Sequence, residues 1–193
     1  MAAGAALPGL FFCFAAMVLL IIVSVSAPKW EAIRFLHVTA GARAINFGVF
    51  GYTGTGIHVG YTFDPAILGF NVPSRLNDHI IHGLTGALIL HPIAAGLSGL
   101  AVLFGICGAS YHRVGTVFMS LIAALATLAT LVAWVIDMVL FGIARSQFRN
   151  EGLGAQYGNA TWMTLGALVA LILGFCFSAC GIFGHYRKKR TLY

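Results

Sequence analysis

Charge is scarce in this chain. Only 8% of its 193 residues are Asp, Glu, Lys or Arg, and only five are acidic. A soluble domain carries about 25% charged residues, so the deficit excludes a water-facing globule and places the chain in a bilayer. Cysteine is also rare. Cys13, Cys107, Cys176 and Cys180 all lie in or at the ends of apolar runs, and none lies in the long polar segment. A disulfide framework is excluded there, and the spacing of Cys176 and Cys180 is not that of a zinc or redox pair. These thiols read as buried, with S-acylation of Cys107 and Cys180 near the cytosolic face as the functional alternative. No Ser/His/Asp constellation, phosphate loop or metal-ligand spacing occurs, and the seven histidines are dispersed. The expectation is a protein that is not an enzyme, with no cofactor, no metal and no small-molecule substrate. The net charge of +6 does not point to nucleic acid. Four of the eleven basic residues are Arg187, Lys188, Lys189 and Arg190, beside the last apolar run. There they act as a topology signal first and a lipid-binding surface second.

What is abundant is apolar length. Four runs meet the ~20 residues needed to cross the hydrocarbon, at about 8–27, 83–107, 114–143 and 161–184. The first reads as a retained helix rather than a secretory signal, because no positive charge precedes it. One four-span membrane domain over 1–193 follows, with cytosolic N- and C-termini. Residues 28–82 and 144–160 become outer loops. Outer loop one has strand character. Trp30 to Val38 can be a strand, Ile45, Phe47 and Val49 alternate with smaller or polar neighbours, and Ile57, Val59, Tyr61 and Phe63 alternate strictly. Period two means half-buried strands, so a three-stranded antiparallel sheet is expected within this loop, with a turn at Thr53–Gly56. Asp64-Pro65 suits a short helical turn, and Pro73-Ser74 a helix start. The loop also carries the motif FGVFGYTGTG, in which Phe47, Gly48, Phe50, Gly51 and Tyr52 stand close together. Its glycines permit close backbone approach. Sheet packing is its first role and contact with a partner or lipid its second.

Three features stand out in the spans. Asp137 is the only acidic residue in a span, and an intramembrane carboxylate is costly and functional by default. His91, followed by Pro92, is its counterpart, at a similar depth of about 10 Å by helical rise. The pair reads as a structural clamp, with a pH-responsive site or a proton pathway as alternatives. Gly166, Ala170, Gly174 and Ser178 recur every four residues in the fourth span, a face that lets another helix approach closely. Asn159-Ala160-Thr161 matches a glycosylation sequon but abuts that span, where low occupancy is expected.

Taken in order, "SVSAPKW", "FGVFGYTG", "LILHPIAAGLSGLA", "VIDMVLFGIARSQF" and "AQYGNATW" resemble the fungal PalI/Sur-seven family of claudin-like four-span plasma-membrane proteins, and the PalI branch most. The resemblance implies a claudin-like bundle of four transmembrane helices with a small extracellular antiparallel β-sheet. It also implies a role in membrane domains, cell-wall integrity or ambient-pH sensing. Family members often have a cysteine directly after the GVxGY run, where this chain has Thr53. Its outer loop must therefore be held by packing alone. The first functional reading is a non-enzymatic plasma-membrane organiser or accessory subunit of a larger membrane complex. Its partners would be membrane lipids and other membrane proteins, or further copies of itself. An ambient-pH-sensing component is the alternative, and a small transporter or channel the third.

Overall fold

A computed structural model describes residues 3–40, 43–63, 79–110 and 113–190. Helix α1 spans Ala3–Ser24, strands β1 and β2 span Leu36–Ala40 and Arg43–Phe47, and α2 spans His79–Ala87. Then come α3 (Leu90–Ser110), α4 (Arg113–Asn150), β3 (Gly154–Tyr157) and α5 (Asn159–Arg190). The segments Leu7–Ser24, His79–Gly108, Val117–Asn150 and Asn159–Ala179 are long and apolar enough to cross a membrane. Each long helix packs on two others: α1 on α3 and α5, and α4 on α3 and α5. The seam between them is built from small residues. Ala16, Ala94, Ala95, Ala126 and Ala167 are buried around Leu20 and Leu171. Lipid tails are as apolar as leucine, so close backbone packing holds such helices together. The large side chains point outward instead, as Leu121, Leu125 and Leu128 do on α4.

Helix α4 is the longest, with 38 residues. At 1.5 Å per residue it is ~57 Å long, nearly twice the ~30 Å hydrocarbon thickness. Its last turns serve the sheet instead of the bilayer. Phe141, Ala144 and Phe148 are buried in the same cluster as Leu36, Val38, Ile45 and Phe47. The sheet has the order β2-β1-β3 and is antiparallel throughout. Val38, in the central strand, pairs with Ile45 on one side and Ala155 on the other.

The third strand is therefore not where the alternation placed it. It comes from the second loop, and Ile57–Phe63 is not a strand. Ile57 and Val59 are 53% and 55% exposed, while Tyr61 and Phe63 are buried. Among the described residues, the outer edge of β2 is met only by a short return, where the Thr53 amide donates to the Asn46 carbonyl at 3.0 Å. The expected strand from Trp30 also begins later, at Leu36, after a tight turn in which the Ile33 amide donates to the Trp30 carbonyl. The turn at Thr53–Gly56 is present, closed by the Thr55 amide on the Tyr52 carbonyl. The expectations for Asp64-Pro65 and Pro73-Ser74 lie outside the described residues.

Candidate functional site

The polar centre of the bundle follows from one proline. Pro92 has no N–H to give to the Leu88 carbonyl four residues earlier, and α2 and α3 are separate helices on either side of Leu88 and Ile89. The freed carbonyl accepts instead from the His91 amide at 3.1 Å and from His91 Nδ1 at 3.0 Å. With Nδ1 so engaged, Nε2 faces α4, 3.1 Å from Oδ2 of Asp137. Both side chains are completely buried. The structure thus brings His91 and Asp137 into contact. Oδ1 of Asp137 has no hydrogen-bond partner among the described residues.

Phe35 closes the pair off from the sheet end. Its ring meets His91 edge-on at 5.4 Å and stacks on Phe141 at 5.0 Å. The backbone of Phe35 joins the two loops: its amide donates to the Phe47 carbonyl and its carbonyl accepts from Gly158, each at 2.8 Å. This plug was missed in the sequence, since a lone phenylalanine before a strand carries no periodic signal.

The glycine and aromatic motif is a corner of the outer cap. Phe47 and Tyr52 have their rings 5.3 Å apart and pack with Phe63 and Phe148. Phe50 packs on the edge of the same cluster. A Cβ on Gly48 would fall on the backbone of Ala27. Gly51 has φ +151°, and a Cβ there would lie 2.6 Å from Thr55 Oγ1. Burial pushes the Tyr61 phenol far above the usual tyrosine range. It stays protonated and donates to the Gly48 carbonyl at 3.1 Å. Trp30 takes no part in this cluster. It is 52% exposed, just beyond the end of α1.

The small-residue face of α5 is occupied from within. Gly174 and Ser178 lie against Gly9 and Cys13 of α1, where a Cβ on Gly9 would sit 3.1 Å from the Gly174 carbonyl. Gly166, at the other end of the stripe, is exposed, with Leu19 of α1 nearby, and Ala170 is half-buried. Cys13 is buried, whereas Cys107 and Cys176 are exposed. The side chains of Cys180, Arg187, Lys188, Lys189 and Arg190 lie outside the described residues.

Asn159 has a role the sequon reading concealed. Its Oδ1 accepts from the Arg34 amide at 3.1 Å, and its Nδ2 donates to the Ala32 carbonyl at 2.9 Å. The Ala160 amide donates to the Arg34 carbonyl beside them. Asn159 thus fastens the second loop to the first. An Asn directly before an apolar run is a helix-start signal and was the available clue. Asn159→Ala is expected to cost about 1–3 kcal/mol for two lost hydrogen bonds. Thr161→Val also removes the sequon but keeps the latch. The Thr161 hydroxyl is buried without a partner among the described residues, so its loss is expected to be neutral or stabilising. Melting both variants, with a deglycosylation mass shift on the wild type, checks this. Equal destabilisation by both would remove the latch.

A search of curated proteins found no match to this chain. A family model does match, over residues 5–177, from the first turns of α1 into α5 and so across the sheet and the His91–Asp137 pair. The chain belongs to the SUR7/PalI family, whose members are claudin-like membrane proteins.

Proposed function

We propose that this multi-pass membrane protein is a non-enzymatic organiser or accessory subunit in the plasma membrane, where it supports membrane domains or cell-wall integrity. The sheet faces outside and both termini face the cytosol. The observation that carries this reading is the fused cap. Two loops from different parts of the chain are locked into one sheet by Phe35, Gly158 and Asn159. Beneath that cap the helices turn large apolar side chains outward. A rigid cap on a lipid-facing bundle is suited to contacts made sideways in the membrane. The basic residues Arg187–Arg190 support the orientation by the positive-inside rule.

The test is what accompanies the protein after mild extraction. A larger partner in fixed ratio supports the accessory role, and a ring of identical subunits supports the organiser role. A monomer alone under conditions that preserve other membrane complexes would count against both. Ambient-pH sensing is the second reading, and its support is the His91–Asp137 contact. It requires the pair to change its proton content between acid and neutral medium.

A further inference from the structure

We infer that His91 and Asp137 together form a site for one proton, held between Nε2 and Oδ2, so that the pair has no net charge within the membrane. The argument is a count of hydrogens. The Leu88 carbonyl can only accept, so the hydrogen in its 3.0 Å bond belongs to Nδ1 of His91. With Nδ1 protonated, a neutral ring has a bare lone pair on Nε2. Oδ2 of a carboxylate has only lone pairs as well. Two acceptors do not rest 3.1 Å apart, so one hydrogen lies between them. Whether it is drawn nearer nitrogen or oxygen, the sum of the two groups is zero.

The surroundings agree with this count. Removing the proton would leave a carboxylate facing a lone pair, with Oδ1 unpartnered among the described residues. Adding a second would leave a cation that no described carboxylate faces. Among the described residues, no other charge acts on the pair to offset either state. On α1 the titratable side chain is Cys13, well along the helix toward its other end, and α5 has none before Cys176. On α4, Arg145 is two turns beyond Asp137, with Nε on the Ala155 carbonyl and its guanidinium over the Tyr157 ring. From the cap, Tyr61 is a neutral phenol that donates to the Gly48 carbonyl. A buried group with a fixed, neutral proton content fastens α3 to α4 without placing a charge in the bilayer. With that content fixed, the folded pair does not serve as the pH sensor of the second reading, so this inference and that reading exclude each other. This inference is independent of the organiser reading, which stands if it fails.

The test uses the full chain in nanodiscs. Melting is followed from pH 5 to 8, and the ring nitrogens are read by 15N-histidine NMR, with His91 assigned by its loss in His91→Gln. The expected wild-type midpoint is level up to about pH 6.5 and falls above it, because the folded pair keeps a proton that an unfolded histidine gives up near that pH, and Nδ1 of His91 is protonated. Asp137→Asn is expected to melt near wild type, because its amide N–H donates to Nε2 in place of the shared proton. Asp137→Ala leaves Nε2 buried and bare, and its midpoint is expected to fall by roughly 10 °C. A wild-type midpoint that does not fall between about pH 6.5 and 8 overturns the inference, as does a fall that Asp137→Asn shares in full. So does a His91 ring with Nδ1 bare. The pH scan of the wild type needs no variant to fold.

Discussion

Gly48→Ala is expected to prevent the outer cap from folding. The added methyl would fall on the backbone of Ala27, at the end of the first span. Gly48 has little freedom to retreat. Its amide donates to the Gly51 carbonyl at 2.8 Å, and its carbonyl accepts from Tyr61. Overpacking costs ~1–3 kcal/mol where side chains can yield. Here main chain meets main chain, so a loss of about 3 kcal/mol or more is expected, from a total of about 5–15 kcal/mol. The measurement is the yield of monodisperse protein and its melting midpoint. Gly83→Ala, where a Cβ meets nothing within 4 Å, is the control. A Gly48→Ala protein that melts with the wild type would show that the two segments do not approach as described.

Phe35→Ala should be nearly as damaging, for a different reason. It leaves a cavity between Phe141 and His91 where a fully buried ring had been. Such truncations cost ~3–5 kcal/mol. The hole opens toward a polar pair, so water can enter it and solvate Asp137 and His91. Two readouts are expected to move together. The melting midpoint falls, and hydrogen exchange quickens in β1 and in the first turn of α3. Phe11→Ala, on the lipid-facing side of α1 and 64% exposed, should change neither by much. Lost stability with unchanged exchange at α3 would mean that Phe35 packs the cap without sealing the pair.

The two loops and the spans were legible to different degrees. Membrane helices announce themselves by apolar length, and His91 and Asp137 by being polar within it. Pro92 beside His91 even held the clue to the ring's orientation, since a missing N–H leaves a carbonyl free four residues earlier. The sheet was harder. The alternation from Ile57 to Phe63 is real in the sequence, yet only its second half is buried, because β3 takes the free edge of β1. Pairing between distant segments leaves no local periodicity. Phe35 and Asn159 were hidden for the same reason: each acts on chain far from it, and local patterns describe neighbours.

The origin of β3 has a consequence for how the protein is made. Thr39 and Gly154, which touch in the finished sheet, are 115 residues apart. A ribosome adding about 5–20 residues per second delivers the third strand roughly 6–23 s after the first. During that interval the β1–β2 hairpin stands outside the membrane with one edge bare, and bare strand edges recruit other strands. The cap closes only when the last two helices are being threaded. A closed sheet therefore certifies that the spans between β1 and β3 have been threaded, and an open one marks a stalled chain for any chaperone that binds exposed strands.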